Sequence, residues 1–428
     1  MMVQYAKPRG TADILPDQVA DWRAIEDEAR RLFAIYHYRE IRTPIFEHTE
    51  VFLRGVGDTT DIVQKEMYTF MDRGDRSLTL RPEGTAGVVR AYVEEKLYGV
   101  ANTQKFYYFG PMFRYEKPQA GRYRQFHQYG IEVIGSSDPR VDAEVIGLGD
   151  HFLRQLGIDT FTLHLNSVGC PVCRASHKAH LIEHLQPIRN ELCKDCQSRF
   201  EKNPLRILDC KIDHDHPVVM SAPTITDALC DDCAHQFATV QTYLDEMGIT
   251  YEIDKTMVRG LDYYTQTAFE FKEGSIGAIS TILAGGRYNG LIHELGGPEL
   301  PGIGFAGGVE RLLLARAARQ ETVQAKDQVD VVVVAMGDSA MNASVRVLHE
   351  LRKAHITADV DYYGRGVKGQ LKLADRLSAR YVVLIGDDEV STQSVSVRDL
   401  STREQVLVEQ HRVVNYLLER VTNGQSEI

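Results

Sequence analysis

The spacing of apolar residues in the first third of the chain predicts both helices and strands. Residues 17–36 carry apolar side chains three and four positions apart, which predicts an amphipathic helix. Residues 66–83 and 106–135 alternate between polar and apolar positions, so each predicts a β-hairpin, and a helix is predicted over 84–98 between them. Pro44 lies in a partly alternating segment before the first hairpin. That segment is expected at a sheet edge or an interface, because proline is not tolerated within a central ladder.

The second hairpin separates its side chains by chemistry. Successive residues of a strand point to opposite faces of the sheet. One face of residues 113–135 is mainly apolar, interrupted by Gln125 and His127. The other face carries most of the charged side chains, an amide, one phenylalanine and one glycine: Arg114, Glu116, Arg122, Arg124, Phe126, Gln128, Gly130 and Glu132. The apolar face is predicted to pack on a core, which leaves the polar face open to a ligand or to water.

The polar face of this hairpin suits a bound nucleotide. Guanidinium groups bind phosphate oxygens in a planar, bidentate way. Phe126 is placed to stack on a base, and Gly130 leaves room for a ligand against the strand. Glu132 is then available to a second substrate that is cationic or donates an N–H group. The alternative is a solvated face on which arginines and glutamates pair across the strands.

The chain changes character twice after this hairpin. From residue 160 to 255 cysteines cluster, helical patterns dominate and strand-like alternation disappears, which predicts a helical insertion over about 170–250. Strand-like, glycine-rich segments then resume, so the insertion is expected within a first domain of residues 1–320. The polar stretch QETVQAKDQ, residues 320–328, predicts a linker. Val-rich strands alternate with helices beyond it, so residues 328–428 predict a small α/β domain.

Composition narrows the class of protein. The chain has 428 residues, of which 43% are hydrophobic and 25% charged, as in ordinary globular proteins. No apolar run approaches the roughly 20 residues that span a bilayer, and the first residues lack the apolar stretch of a signal peptide. A cytoplasmic location with no membrane contact is therefore predicted. The net charge of −11 argues against non-specific coating of nucleic acid, because that binding depends on neutralising phosphates.

Other segments carry candidate chemistry that is less specific. Residues 259–265, RGLDYYT, place an arginine beside a glycine and two adjacent tyrosines. Glu83 and Thr85 could hold an ammonium group, although a plain helix cap explains them equally well. Residues 284–290 and 302–311 are rich in glycine, but neither is a Rossmann fingerprint or a P-loop. Each of these segments is also compatible with a purely structural role.

The cysteines are a candidate metal site. Six of the seven form three C-x-x-C pairs within 64 residues, and such pairs are usual in tetrahedral zinc sites. The candidate ligands of a structural Zn²⁺ are Cys170, Cys173, Cys193, Cys196, Cys230 and Cys233. The alternative is reduced thiols at helix starts, since seven cysteines with His177, His214 and His216 exceed what one site requires. Disulfides are not expected in a cytoplasmic protein.

Taken in this order along essentially the whole chain, the segments resemble the histidyl-tRNA synthetases, a family of class II aminoacyl-tRNA synthetases. KPRGTADILP resembles the family's opening, and IRTPIFEHTEVF resembles motif 1, the dimer-interface motif, with Pro44 as its proline. FRYEKPQAGRYRQFHQYGIEVIG and GIGFAGGVERL resemble motifs 2 and 3. RGLDYYT and AGGRYNGL resemble two segments peculiar to the histidine-specific members.

The resemblance implies an α+β catalytic domain with an antiparallel sheet, a helical insertion near the tRNA acceptor arm, and a C-terminal α/β anticodon-binding domain. It implies a homodimer that activates L-histidine with ATP and Mg²⁺ to histidyl-adenylate. The histidine then passes to the 3′ end of tRNA(His). The alternatives are a non-catalytic relative, such as the regulatory subunit of ATP phosphoribosyltransferase, and a purely RNA-binding module.

The resemblance also implies roles for individual residues. At ATP it places Arg114, Arg122 and Arg311 on the phosphates, Glu116 at the adenine amino group and Phe126 on the adenine ring. At histidine it places Glu83, Thr85 and Gln128 on the ammonium, Glu132 and Tyr264 at the imidazole nitrogens, and Tyr263 and Tyr288 in the pocket. The implied catalytic residues are Arg259 and Arg114. Arg259 is expected at the α-phosphate and the carboxylate, where a fixed charge stabilises the negative charge that develops during attack.

Two positions depart from the family pattern. Gln266 stands where many members have glycine, and Asn289 stands where aspartate is frequent. Both are neighbours of residues with implied roles, so altered local packing is expected rather than lost activity. The C-x-x-C pairs occur in only part of the family, so the resemblance does not imply zinc.

Overall fold

The computed structural model describes residues 5–57, 60, 62–202, 204–208, 210, 212–257, 263–276, 280–320 and 328–424. The chain divides into two compact units, Met1–Gln324 and Ala325–Ile428. Most of the predicted linker, residues 321–327, lies outside the described residues. Within the described ranges, no helix is long and apolar enough to cross a membrane.

The first unit combines one large sheet, one small sheet and the helices that pack on them. Its strands are β1 (Arg39–Glu40), β2 (Phe46–His48), β3 (Tyr68–Met71), β4 (Ser77–Leu80), β5 (Gln104–Phe113), β6 (Gln125–Ile134), β7 (Phe161–Ser167), β8 (Glu252–Ile253), β9 (Thr265–Glu273), β10 (Thr281–Arg287) and β11 (Gly302–Gly308). Its helices are α1 (Pro16–Ile35), α2 (Thr49–Val56), α3 (Thr85–Glu94), α4 (Pro139–Gln155), α5 (Pro171–Leu185), α6 (Lys194–Lys202), α7 (Pro217–Met220), α8 (Asp231–Glu246), α9 (Leu291–Glu294) and α10 (Val309–Ala318).

The large sheet is antiparallel through its centre. Among the described strands its order is β1-β5-β6-β11-β10-β9-β7-β8, and only the outermost pairs, β1 with β5 and β7 with β8, are parallel. The small sheet has the order β2-β4-β3. This architecture confirms the predicted α+β class with an antiparallel sheet, and β3 and β4 form the first predicted hairpin.

One face of the large sheet forms the main core with α1 and α4. Tyr129, Ile131 and Val133 of β6 are buried there, which confirms the predicted apolar face of the second hairpin. The ring of Phe152 on α4 lies 5.1 Å from that of Tyr129 and 5.3 Å from that of Phe33 on α1, measured between centroids. Large rings in close contact contribute much of the burial that holds helices on a sheet. The opposite face is left for the cavity described below.

The second hairpin is shorter than the alternating pattern predicted. β5 pairs with β6 from Gln104 opposite Ile134 to Phe113 opposite Gln125. Residues 114–124 between them form a loop rather than continued strands, with one isolated bridge between Gln119 and Arg122. Proline at position 118 lacks the N–H group that a ladder requires. The charged residues of this loop are therefore not placed by strand alternation.

The insertion is helical but begins later than the change in sequence character suggested. β7, at Phe161–Ser167, pairs with β9 of the large sheet, so the prediction that strands disappear from residue 160 is wrong. The side chains of β7 alternate imperfectly, because its Leu163, Leu165, Asn166 and Ser167 are all buried. Helices α5 to α8 follow it. A separate apolar cluster holds part of them together, including Leu181, Leu185 and Phe200.

The second unit is an α/β domain with its own sheet. Its strands are β12 (Val331–Ala335), β13 (Ala358–Val360), β14 (Tyr381–Ile385), β15 (Ser394–Asp399) and β16 (Gln405–Glu409), and its helices are α11 (Asp338–Lys353), α12 (Val367–Arg376), α13 (Asp387–Ser391) and α14 (Val413–Gly424). The described sheet has the order β13-β12-β14-β15-β16. The first three strands are parallel, whereas β15 and β16 form an antiparallel hairpin that the strand and helix alternation did not predict.

Candidate active site

One cavity on the large sheet brings together the residues that the sequence singled out. It is lined by every predicted histidine and ATP residue that the structure describes: Glu83, Thr85, Arg114, Glu116, Arg122, Phe126, Gln128, Glu132, Tyr263, Tyr264, Tyr288 and Arg311. These residues come from β6, the loop between β5 and β6, the start of α3, α10 and the segments next to β9 and β10, so their meeting depends on the fold. Arg259 lies outside the described residues.

Glu132 lies at the centre of a buried hydrogen-bond group in this cavity. Its side chain is 1% exposed. One carboxylate oxygen accepts a hydrogen bond from Thr85 Oγ1 at 2.6 Å, and the other accepts one from the Tyr288 hydroxyl at 2.5 Å. Burial raises the pKa of Glu132 to about 8, although the two hydroxyl donors act in the opposite direction. A carboxyl group whose pKa lies near neutrality can exchange a proton with a ligand.

A glycine makes room for this carboxylate. Gly304 of β11 lies opposite Glu132 of β6 in the ladder. A Cβ at position 304 would lie 2.1 Å from Glu132 Oε2, well inside van der Waals contact. The glycine-rich segment at 302–311 therefore serves the cavity through close approach and not through a phosphate-binding loop.

Glu83 caps the start of α3, as one of its two predicted interpretations required, and it also faces the cavity. Its two carboxylate oxygens accept the backbone N–H groups of Thr85 at 2.6 Å and Ala86 at 2.9 Å, which satisfies donors at the start of α3. The same carboxylate lines the cavity. Burial raises the pKa of Glu83, and these backbone hydrogen bonds partly offset that effect. A carboxylate fixed by two backbone donors is well placed for a ligand ammonium group.

Gln128 faces the same part of the cavity. It is 9% exposed, and its side-chain oxygen accepts no hydrogen bond from the described residues. A buried amide oxygen without a donor costs free energy, on the order of 1–3 kcal/mol. A ligand N–H group would supply the missing donor.

Three tyrosines form an aromatic wall beside Glu132. The Tyr263 ring lies 4.8 Å from that of Tyr264 and 5.8 Å from that of Tyr288, measured between centroids. All three are less than 9% exposed. Burial raises the pKa of the Tyr263 and Tyr288 hydroxyls, so both remain neutral donors or acceptors at physiological pH. Both adjacent tyrosines are thus packed in the cavity wall, and neither is half exposed as an isolated strand would leave it.

Arginines gather at the other part of the cavity. Arg114 Nε donates to the Pro82 carbonyl at 2.8 Å, and its guanidinium carbon lies 5.3 Å from the centre of the Phe126 ring. Arg311 Nη1 donates to the Thr281 carbonyl at 2.6 Å, and burial lowers its pKa. Arg122 Nε lies 2.5 Å from Glu116 Oε2, although the geometry is not that of an aligned hydrogen bond. This is a cationic surface next to an aromatic ring, as a nucleotide requires.

Two predictions for the polar hairpin face are wrong. Arg124 does not line the cavity, because its guanidinium group lies 3.9 Å from the centre of the Tyr115 ring in the loop outside it. Gly130 does not leave room for a ligand. Tyr108 of β5 lies opposite it and fills the space, so that a Cβ at position 130 would lie 2.4 Å from the Tyr108 hydroxyl oxygen.

The cavity also contains residues that sequence reasoning missed. Glu270 of β9 and Thr281 of β10 line it, with Thr281 Oγ1 donating to Glu270 Oε2 at 3.1 Å. Neither belongs to a motif quoted for the family, and a single carboxylate in a strand carries no signal by itself. Their register across β9 and β10 is the only feature that brings them to the site.

The two departures from the family pattern contact each other. Gln266 has a φ of 51°, in the left-handed region where glycine is favoured. Its side-chain oxygen accepts a hydrogen bond from Asn289 Nδ2 at 2.8 Å. Asn289 also donates its backbone N–H to Thr265 Oγ1 at 3.2 Å. The pair therefore ties the segment after Tyr264 to the segment after Tyr288.

The cysteines form two clusters in the insertion, not one site. The first has four sulfur atoms within 4.8 Å of one another, from Cys170, Cys173, Cys230 and Cys233. The second has three sulfur atoms and one carboxylate within that distance, from Cys193, Cys196, Cys210 and Asp213. Neither cluster includes His177, His214 or His216. Asp213 was missed because it lies outside any C-x-x-C pair.

An antiparallel sheet that carries arginines, an aromatic ring and buried carboxylates in one cavity, in a chain that continues into a separate α/β domain, defines a class II aminoacyl-tRNA synthetase. The model for the family described as Histidyl-tRNA synthetase matches residues 10–187 and 205–312. The model described as Anticodon binding domain matches residues 328–420. The chain belongs to the histidyl-tRNA synthetase family.

Full-length relatives agree with this assignment. Histidine–tRNA ligase of Geobacillus sp. (strain WCH70) is 54% identical over 418 residues, which cover 97% of this chain and 99% of that protein. Histidine–tRNA ligase of Halothermothrix orenii is 54% identical over 399 residues, covering 93% and 95%. The crystal structure of apo S. aureus histidyl-tRNA synthetase matches with 43% identity and a TM-score of 0.81, covering 97% of this chain and 100% of that one. The function of this chain is the ATP-dependent ligation of histidine to tRNA.

Proposed function

We propose that the part of the cavity around Glu132 binds histidine. Glu83, Thr85 and Gln128 contact the ammonium group, because two oxygens and a carboxylate lie together there. Glu132 and Tyr264 contact the two imidazole nitrogens, with Tyr263 and Tyr288 as walls. The buried carboxyl group of Glu132 supports this proposal. No amino acid ligand with a side chain of similar size would pair with that carboxyl group as well as histidine does. A site built to hydrogen-bond a ring N–H rejects analogues that leave its polar groups unpaired.

The arginine-rich part of the cavity binds ATP. Phe126 stacks on the adenine ring, and Glu116 accepts a hydrogen bond from the adenine amino group. Arg114, Arg122 and Arg311 contact phosphates. The close approach of Arg122 to Glu116 implies that these two side chains separate when ATP enters. Each then gains a partner on the nucleotide.

The reaction depends on positioning and cations more than on a base. The histidine carboxylate attacks the α-phosphate in line, pyrophosphate leaves as the bond to the β-phosphate breaks, and the transition state spreads negative charge over the phosphoryl oxygens. Arg114 and Arg259 are the cations assigned to that charge. The role of Arg259 is assigned from the family resemblance alone, because this residue lies outside the described residues. The 3′-terminal ribose hydroxyl of tRNA(His) then attacks the adenylate carbonyl, and AMP leaves.

The ATP substrate would bring Mg²⁺, which would supply positive charge at the outer phosphates. Hard divalent cations prefer oxygen ligands. The carboxylate of Glu270 on the cavity wall fits that preference, and it lies near the positive charge of Arg311, which it stabilises. Glu270 is the residue we assign to this ion.

A second copy of the chain covers the small sheet. Ile45, Phe46, Phe70 and Met71 of this sheet and its flanks expose 44%, 52%, 44% and 59% of their surface, which is unusual for large apolar side chains. Their position next to Pro44, in the segment that resembles motif 1, supports a homodimer interface. Sedimentation equilibrium should give twice the chain mass of 48.3 kDa, and a Phe46→Asp variant should dissociate. A monomer at all concentrations would contradict the homodimer.

We place the enzyme in the cytoplasm, where tRNA is charged for translation.

Exchange of labelled pyrophosphate into ATP tests the assignment of the cavity. Histidine alone among the standard amino acids should support exchange. Arg259→Ala should reduce the rate by about a hundredfold or more, the usual cost of removing a transition-state donor. Arg23→Ala, on the exposed side of α1, is the matched control and should keep the normal rate. Exchange with another amino acid, or an Arg259→Ala variant as active as the control, would contradict the proposal.

A further inference from the structure

The two cysteine clusters have the geometry of tetrahedral metal sites. With Zn–S bonds of about 2.3 Å, sulfur atoms at the corners of a tetrahedron lie about 3.8 Å apart. Cys170 Sγ lies 3.5 Å from Cys173 Sγ and 4.0 Å from Cys230 Sγ. In the second cluster Cys193 Sγ lies 3.8 Å from Cys210 Sγ. These distances are too long for disulfide bonds and match sulfurs that share one ion.

The first cluster consists mainly of cysteine side chains and has few apolar neighbours. Among the described residues, its apolar contacts beyond the four cysteines are with Ile225 and Leu229. The N–H of Cys230 donates to Cys173 Sγ at 3.1 Å, as second-sphere donors to thiolates do. Gly169, with a φ of 64°, permits the turn into α5, and a Cβ there would lie 2.6 Å from the Cys173 Cβ. The cluster brings together the N-cap cysteines of α5 and α8 and one further cysteine from each helix, so a shared cation would tie the two helix starts together.

The second cluster replaces one cysteine with a carboxylate. Asp213 is 8% exposed and Cys196 is fully buried. The Asp213 oxygens accept the backbone N–H of Cys193 at 3.2 and 3.1 Å, which orients the carboxylate toward the sulfurs. The N–H of Ile212 donates to Cys210 Sγ at 3.4 Å. Three thiols and a buried carboxylate are ligands that Zn²⁺ accepts in one tetrahedral site.

The first cluster is joined directly to the proposed histidine pocket. Arg174, the residue after Cys173, donates from Nη1 to the backbone carbonyl of Tyr264 at 3.1 Å. The Gly169 carbonyl, just before Cys170, accepts the N–H of Gln266 at 3.0 Å. Both hydrogen bonds hold the backbone on either side of Thr265. The second cluster has no hydrogen bond to this segment among the described residues.

We propose that the insertion binds two Zn²⁺ ions, one in the Cys₄ cluster and one in the Cys₃Asp cluster, and that the Cys₄ ion positions Tyr264 for histidine. The Cys₃Asp ion holds α6 and the segment around Cys210 together and does not affect the pocket. The positioning part rests on the assignment of the cavity to histidine. Cys173 and Arg174 are positioning residues in this scheme, since they act through the Tyr264 backbone.

Metal content is the first test, and it does not depend on activity. The purified protein should contain two Zn²⁺ per chain by elemental analysis, and seven titratable thiols once it is denatured with a chelator. Cys173→Ser and Cys196→Ser, which remove equally buried ligands, should each lose one ion. Co²⁺ substituted for Zn²⁺ should give the visible bands of tetrahedral thiolate coordination. Two results would overturn the two sites. One is protein that contains less than one ion per chain and also fails to bind added Zn²⁺ or Co²⁺. The other is protein with fewer than seven thiols because some cysteines form disulfides.

The fourth ligand of the second site has its own control. Asp213→Cys should keep two Zn²⁺ and shift the cobalt spectrum toward four-sulfur coordination. Asp213→Ala should weaken binding of the second ion. Unchanged metal binding in Asp213→Ala would overturn the Cys₃Asp assignment, even if the first site stands.

Histidine-dependent pyrophosphate exchange tests the positioning role. Cys173→Ser and Arg174→Ala should each raise the KM for histidine about tenfold, the cost of a charged hydrogen bond, with little change in the KM for ATP. Arg174→Ala should do so with both Zn²⁺ ions retained, and Arg174→Lys should restore part of the effect. Cys196→Ser should change the KM for histidine by less than about twofold, as substitutions remote from a site usually do. A normal KM in Arg174→Ala would overturn the positioning role, whereas lack of exchange by the unsubstituted, zinc-loaded protein would instead contradict the function of the cavity.

Discussion

Replacing Glu132 by glutamine tests the most buried part of the proposed histidine pocket. The two side chains have nearly the same shape, so the change leaves no cavity. Glutamine cannot carry a negative charge, and its amide accepts hydrogen bonds at one atom only. One of the hydroxyl donors of Thr85 and Tyr288, which now lie 2.6 and 2.5 Å from the carboxylate oxygens, must therefore rotate or lose its acceptor.

The size of the effect follows from the hydrogen bond that the imidazole would lose. Hydrogen bonds to a charged group contribute about 1.5–3 kcal/mol. Since about 1.4 kcal/mol corresponds to a factor of ten, kcat/KM for histidine should fall about 10- to 150-fold. The KM for ATP should remain nearly constant, because the arginines and Phe126 line a different part of the cavity.

Pyrophosphate exchange at varied histidine and varied ATP measures the two effects separately. Glu94→Gln is the matched control, since Glu94 is a largely exposed glutamate at the end of α3, with 64% of its side chain accessible. Equal circular dichroism and thermal midpoints would show that the variant is folded. If Glu132→Gln bound histidine normally, or weakened ATP and histidine alike, the assignment of the imidazole to Glu132 would be wrong.

Three further predictions concern stability. Burial raises the pKa of Glu132 to about 8. The folded state therefore retains a proton that the unfolded state releases above about pH 4.3. The stability that this proton contributes is fully present below about pH 4.3 and is lost as the pH rises through 8. The free energy of unfolding relative to Glu132→Gln should thus fall by at most about 1.4 kcal/mol per pH unit between pH 5 and 8, and parallel urea melting curves for both proteins across this range would contradict it. Asp142→Ala should destabilise the first unit by about 3–5 kcal/mol, because the carboxylate and the guanidinium of Arg287 form a fully buried ion pair; a change below about 1 kcal/mol in urea denaturation would refute this. Gln266→Ala and Asn289→Ala should be coupled by about 0.5–1.5 kcal/mol in a double-mutant cycle, whereas additive effects would show that their 2.8 Å hydrogen bond contributes nothing.

Period-two alternation located much of the site because β6 is a regular strand. Phe126, Gln128 and Glu132 all face the cavity, as their spacing predicted. The same counting failed for Arg124, since the chain between the strands is a loop whose side chains follow no alternation. It also failed for Gly130, because a glycine is compatible with either a ligand or a neighbouring side chain against the strand, and only the register with Tyr108 distinguishes them.

Contacts between distant segments could not be predicted from local pattern. Glu270 reaches the cavity through the pairing of β9 with β10. Asp213 joins three cysteines because the segment after α6 folds back on the start of that helix. The C-terminal unit shows the same limit, since its alternating strands and helices predicted β12 to β14 but not the hairpin of β15 and β16. Local periodicity describes one element at a time, whereas sheet order and cluster membership are properties of the assembled chain.

A crystal structure with histidine and an unreactive ATP analogue bound would test the assignment of the cavity most directly. The imidazole nitrogens should lie within hydrogen-bond distance of Glu132 and the Tyr264 hydroxyl, with the ammonium at Glu83 and Gln128. The adenine ring should stack on Phe126, and Arg122 should have moved from Glu116 to a phosphate. Histidine bound with its ring away from Glu132, or a nucleotide outside this cavity, would contradict the assignment.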